Sequence, residues 1–162
     1  MEELISHGIF DKILYNDSPS AIAWIIGNEE NPKISGQVNF FETPLGGVIV
    51  NAEIFGLPDS GFFGMHIHEY GDCALPFDKT GNHYNPMNMP HPNHAGDLLP
   101  LIGNNGYAWT AFYDDRFTVK DIVQKSVVIH AMRDDFTKQP SGDSGAKIGC
   151  GVIAKFEDNM FW

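Results

Sequence analysis

His66 and His68 stand two residues apart in Gly64-Met-His-Ile-His-Glu69. A strand sends alternate side chains to one face, so both imidazoles point the same way and form a chelating pair. Taken alone, a His-x-His pair is more often two surface histidines. His83, His91, His94 and Asp97 follow in a Gly- and Pro-rich stretch that can fold its side chains inward. Three nitrogens and one carboxylate oxygen suit a tetrahedral zinc ion, although such a loop by itself reads equally as solvated histidines. His130 ends the apolar run Val127-Val-Ile-His130, where the ordinary reading is a satisfied core histidine. Taken together, six of the seven histidines fall between positions 66 and 130. That exceeds the four ligands of one tetrahedral ion and implies two ions or a shared ligand. Imidazole-rich sets with little sulfur and one carboxylate favour copper and zinc over magnesium or calcium.

These residues need elements to hold them. Segments bounded by Gly, Pro, Asn and Asp read as strands: Ala21 to Ile26, Ile34 to Glu42, Gly47 to Phe55, Phe63 to Glu69, Tyr107 to Tyr113, Ser126 to Ala131 and Cys150 to Phe156. Sustained helical periodicity is absent apart from one turn near Val119 to Gln124, so an all-β sandwich or barrel is expected. The stretches Gly71 to Pro100 and Met132 to Gly149 exceed ordinary loop length, and such loops are usually functional. Methionines Met87, Met89 and Met132 beside the histidines read as gap fillers under these loops rather than as copper-handling groups.

The length of 162 residues fits a single domain spanning 1–162, with residues 1–15 expected as a loosely ordered N-terminal extension. A formal charge of −11 repels phosphate backbones and anionic lipid, so nucleic acid is not an expected partner. No run approaches the roughly 18 apolar residues of a membrane span, and a membrane protein is not expected. Glu2 and Glu3 stand where an export signal needs basic residues, which points to the cytoplasm if Met1 is the native start. The apolar terminus Met160-Phe-Trp162 leaves a homodimer open.

The motifs Gly64-Met-His-Ile-His68, Gly81-Asn-His-Tyr-Asn-Pro86, His94-Ala-Gly-Asp97, Val128-Ile-His130 and Gly149-Cys-Gly-Val-Ile153 resemble those of copper/zinc superoxide dismutase over Ile34 to Ala154. The His66 to Cys73 spacing and Gly96-Asp-Leu-Leu-Pro100 look more like the bacterial branch. The resemblance implies a Greek-key β-sandwich or flattened barrel of immunoglobulin-like architecture with two long functional loops. It implies one copper held by His66, His68, His83 and His130, and one zinc held by His83, His91, His94 and Asp97, with His83 bridging. Asp134 matches the family carboxylate that orients His66 and His91. Cys73 and Cys150 match its intrasubunit disulfide, which suits an oxidising compartment and an exported or periplasmic protein.

Superoxide is then the substrate, with copper cycling between two oxidation states, zinc structural, and His83 and Lys147 as catalytic residues. Lys147 stands where the family places an arginine, keeping the charge without the guanidinium fork, so a slower enzyme is expected. Two other functions compete. A non-catalytic copper-binding protein on the same fold is motivated by Lys147 and the short loop after Met132. A zinc hydrolase is remote, because no glutamate stands ready as a general base.

Overall fold

Along most of the chain, β-branched and aromatic residues alternate with polar ones, and the backbone follows that two-residue period. The computed structural model describes residues 8–157. Among the described residues the strands are β1 (Ala21–Gly27), β2 (Ser35–Glu42), β3 (Val48–Phe55), β4 (Gly61–Phe63), β5 (Met65–His68), β6 (Leu101–Gly103), β7 (Ala108–Asp114), β8 (Ser126–His130) and β9 (Lys147–Lys155). Helices α1 (Ile9–Asn16) and α2 (Val119–Ile122) and a 3-10 turn at Asp78–Thr80 complete the secondary structure. No helix among the described residues is long and apolar enough to cross a membrane.

Seven strands form one antiparallel sheet in the order β5-β8-β9-β1-β2-β3-β7, curled into the β-sandwich expected from the sequence. Its concave face carries Ala23, Ile25, Val38, Phe40, Val50, Ile54, Ile67, Val127, Ile129 and Ile153, all buried in one cluster. Each large aliphatic or aromatic side chain there contributes about 1.5–3 kcal/mol. A two-stranded ribbon of β4 and β6 joins the sheet's two edge strands. β4 runs into β5 through Gly64, and β6 runs into β7 through the turn at Asn104–Tyr107.

The expected continuous strand from Phe63 to Glu69 is therefore divided. Phe63 pairs with Leu101 of β6, a strand not anticipated, whereas Met65 pairs with Ile129 of β8. Between them the Gly64 amide donates to Met132 O at 2.8 Å and its carbonyl accepts from the His130 amide, which turns the chain from one sheet to the other. β9 begins at Lys147 rather than at Cys150, and a register shift opposite Ile129 and His130 pairs His130 with Lys147. A bulge of this kind re-aims side chains at a strand end.

Helix α1 is a second departure from expectation, which had a loosely ordered extension through Tyr15; Met1 to His7 lie outside the described residues. Phe40 takes the inner face of β2, so its neighbour Phe41 faces outward, paired with Ile49 of β3. Ile13 of α1 covers this pair, with Ile9, Phe10 and Leu14 beside it, and Phe10 stacks on Tyr113 at 5.6 Å. Eight residues are too few for sequence periodicity to register, and a helix that short is held by such packing rather than by propensity. Helix α2 falls where one helical turn was expected, with the Thr118 amide and hydroxyl donating to Asp121 Oδ2 at 2.8 and 2.7 Å.

Candidate metal centre

β5 is an edge strand, and an edge needs cover for its free backbone groups. Alternation turns Met65 and Ile67 into the core and leaves His66 and His68 together on the other face. The long stretch after β5 folds back along this edge: Ile67 N donates to Gly96 O, Tyr84 N to Ile67 O, and Glu69 N to Asn82 O, at 2.8 to 2.9 Å. His83 is thereby bridged to His68 and Asp97 to His66. A Cβ on Gly96 would lie 2.3 Å from Ile67 O, so this approach requires glycine. Cys73, at the loop's start, is disulfide-bonded to buried Cys150 of β9, and Phe77 packs against Cys150 and Val128.

Two donor groups result, His66, His68, His83 and His130, and His83, His91, His94 and Asp97. Every member is buried, and within each group the donor atoms lie within 4.8 Å of one another. Protein acceptors set the ring nitrogens. His68 Nδ1 donates to Gly81 O at 2.9 Å and His130 Nδ1 donates to Gly145 O at 3.1 Å. Asp134 accepts from His66 Nε2 and from His91 Nε2, each at 2.7 Å.

Since a carbonyl or carboxylate oxygen only accepts, each of these rings carries its proton outward and turns a lone pair inward. His68 Nε2 and His130 Nε2 thus face each other as two acceptors 3.2 Å apart. His66 Nδ1 has no hydrogen-bond partner, and His91 Nδ1 lies 3.0 Å from Asp97 Oδ2 without a hydrogen bond. Buried lone pairs aimed at one another need a cation between them.

The titration behaviour agrees. Burial, reinforced by His130 and His83, holds His68 down to about 2, and burial lowers His130 to about 4 against the bond to Gly145. Burial and its imidazole neighbours put His66 well below the ordinary value, and burial lowers His94 against the pull of Asp97. Asp97 is pushed up by burial but ends below the usual carboxylate range, because His83 donates to it at 2.7 Å and His91 and His94 stand beside it. His66, His68, His94 and His130 are therefore neutral ligands and Asp97 an anion at neutral pH.

His83 belongs to both groups. Its Nδ1 is engaged with Asp97 Oδ1 and lies 3.4 Å from His94 Nδ1, which leaves Nε2 for the other group. Four imidazoles suit copper, and three imidazoles with a carboxylate suit tetrahedral zinc. The donor sets therefore fit one ion of each.

A family model described as copper/zinc superoxide dismutase matches residues 34–153. The chain belongs to that family. It is 35% identical over 149 residues to superoxide dismutase [Cu-Zn] 3 of Arabidopsis thaliana, covering 82% of this chain and 88% of that protein. It is 32% identical over 158 residues to superoxide dismutase [Cu-Zn] of Legionella pneumophila, covering 93% and 95%. Among solved structures, the clock protein EA4 is 31% identical with a TM-score of 0.74, covering 85% of this chain and 96% of that one. A double mutant of a SOD-like protein from Bacillus subtilis is 29% identical with a TM-score of 0.74, covering 82% and 96%.

In this superoxide dismutase-family chain a cleft of about 600 Å³ opens on the shared histidine, lined among others by His68, Glu69, His83, His94, His130 and Lys147. The Lys147 ammonium is half-buried; burial lowers its pKa, against the opposing pull of Asp78. The three methionines do not sit under the loops: Met87, Met89 and Met132 are all exposed. Phe62 and Trp109 are likewise exposed, while Phe40, Phe41 and Phe63 are buried.

Two supporting residues carried no sequence signal. Gln139 clasps the His91 backbone, its Nε2 donating to His91 O at 2.6 Å and its Oε1 accepting from His91 N at 3.0 Å. Arg116 donates from Nη1 to His94 O at 3.0 Å and from Nη2 to Asp97 O at 2.5 Å. Both act on backbone atoms of ligand residues from far along the chain, so no motif spacing records them.

Proposed function

We propose that this chain dismutes superoxide, converting two superoxide anions and two protons to oxygen and hydrogen peroxide, with copper held by His66, His68, His83 and His130 and zinc held by His83, His91, His94 and Asp97. When bound, copper supplies a redox centre with two accessible oxidation states, and zinc supplies fixed positive charge. The observation that carries the reading is His83, which joins two donor groups and lines the cleft.

The residues divide the work. His68 and His130 offer Nε2 lone pairs because Gly81 O and Gly145 O hold their Nδ1 protons. Asp134 keeps His66 and His91 turned the opposite way, with Nδ1 inward. With Nδ1 engaged on the Asp97 side, His83 offers Nε2 to the copper group, and whenever that nitrogen is not bound to the metal it would be the atom that carries a proton to the peroxide product. Lys147 places a positive charge on the cleft wall, which favours an anionic substrate locally in a chain of net charge −11.

A non-catalytic copper-binding protein is the second reading, favoured by the lysine at 147, which lacks the guanidinium fork. The deciding experiment is metal analysis with a superoxide assay on copper- and zinc-loaded protein, repeated for His83→Ala and His130→Ala. Turnover that needs both histidines supports dismutation. Tight copper without turnover selects the second reading, and full turnover in a metal-loaded His83→Ala protein removes the proton-carrying role.

A further inference from the structure

Lys147 opens β9 opposite His130, and its main chain is fixed there, with Asn28 Nδ2 donating to its carbonyl at 3.2 Å. Its side chain crosses to the segment from Phe77 to Gly81. The ammonium donates to Thr80 Oγ1 at 2.8 Å, to Gly81 O at 3.4 Å and to Phe77 O at 3.5 Å. An ammonium has three protons and no more. Each has an acceptor in this one turn.

The acceptors are themselves well anchored. Thr80 is fully buried, and its hydroxyl donates onward to Phe77 O at 2.9 Å, so the oxygen facing Lys147 acts as an acceptor. Phe77 is fully buried against Cys150 and Val128. The turn is bounded by left-handed backbone, φ 79° at Phe77 and 75° at Gly81, a conformation that costs a non-glycine residue about 1 kcal/mol or more and persists only where its surroundings impose it. The Gly81 carbonyl has a second donor, His68 Nδ1 at 2.9 Å. Lys147 and His68 thus meet on one oxygen.

We propose that Lys147 is a positioning residue for His68: it latches the Phe77–Gly81 turn to the start of β9, holds the carbonyl that orients the His68 ring, and presents the cleft with a fixed charge whose protons are already taken. An anion in the cleft is attracted by that charge and receives no hydrogen bond from it. An arginine at this position would have five donors, so two would remain after three acceptors were met. The inference rests on the copper assignment proposed above.

The test uses wild type, Lys147→Met, Lys147→Arg and Thr80→Val. In the metal-free proteins, hydrogen exchange is followed at the Tyr70 amide, which donates to Thr80 O. Lys147→Met is expected to speed it and Lys147→Arg to leave it unchanged; equal exchange in wild type and Lys147→Met overturns the latch without reference to any metal. In copper- and zinc-loaded proteins, Lys147→Met is expected to lose about tenfold in copper affinity and shift the visible copper band, with zinc affinity unchanged and Lys147→Arg restoring both. A wild-type spectrum and affinity in Lys147→Met overturn the orienting role.

Azide titration reads the donors. Lys147→Arg is expected to bind azide about tenfold more tightly than wild type, and Thr80→Val, which frees one ammonium proton, more tightly as well. Unchanged azide affinity in Lys147→Arg overturns the statement that the wild-type protons are taken. Superoxide turnover is measured on the same loaded samples: its absence from a wild-type protein that gives these responses rejects dismutation and leaves the positioning role standing.

Discussion

Arg116 and Asp114 form a side-on pair in which Nε donates to Oδ1 at 3.0 Å and Nη2 to Oδ2 at 2.6 Å, while the Arg116 amide also donates to Oδ1 at 2.9 Å. The carboxylate fixes the plane of the guanidinium, and the remaining donors then aim at His94 O and Asp97 O. A single residue beyond β7 thus grips the backbone of two zinc-set ligands.

Arg116→Gln should accordingly weaken zinc binding by about 10- to 100-fold, the range for groups that orient metal ligands, and leave copper binding much less affected. Competition with a chromophoric zinc chelator measures this. Equal losses for both metals would show that the substitution acts through general destabilisation instead.

Asp134 and Gly142 form a matched pair. A Cβ at Gly142, where φ is 75°, would lie 1.8 Å from Asp134 Oδ1 and 2.6 Å from His91 Nε2. Gly142→Ala should displace the carboxylate and weaken both metals together, as should Asp134→Ala, each by about tenfold or more. Isothermal titration of the metal-free proteins reads both affinities. Loss of one metal alone in Asp134→Ala would contradict the shared role of its two oxygens.

The metal-free protein should lose stability in mild acid. His68 at about 2 and His130 at about 4 lie below the ordinary 6.5, so between these values the unfolded chain binds more protons than the folded one. Stability is thus complete above about pH 6.5 and declines as pH falls toward the folded values. Between pH 7 and 5 each of the two contributes a loss of about 2 kcal/mol. Urea unfolding of metal-free protein across this range checks the slope, and a flat profile would contradict it. Bound metal keeps protons off these rings in the folded state, so the metal-loaded protein should lie at higher stability with a dependence on pH at least as steep.

Breaking the Cys73–Cys150 bond, which spans 77 residues, should destabilise the metal-free protein by about 2–5 kcal/mol in the chain-entropy account. Urea midpoints of wild type with and without reductant, and of Cys73→Ser, measure the effect. Coincident curves would mean that Phe77 and its neighbours hold the loop unaided.

The strands were legible wherever alternation ran long enough, as in β2 and β3. Short elements were not: β6 has three residues and α1 eight, and each stands on a tertiary contact, β6 on its pairing with β4 and α1 on Phe41 and Ile49. The division at Gly64 was hidden for a similar reason. Phe63 and Met65 both carry strand-forming side chains, and only the hydrogen bonds of Gly64 to Met132 and His130 decide that they belong to different sheets.

By itself the sequence determined the chemistry available: residue types and spacing brought out the seven metal-ligand candidates, because donor atoms are a property of side chains and a chelating pair is a property of strand period, while Asp134 and Lys147 were marked only by the family resemblance. Tertiary structure alone decided which nitrogen of each ring faces inward, since that depends on acceptors such as Gly81 O, Gly145 O and Asp134 supplied from distant segments. It alone brought Arg116 and Gln139 onto the ligand backbone. It also set the number of acceptors around the Lys147 ammonium, because hydrogen-bond saturation is a count of neighbours in space, which no order of residues along a chain records.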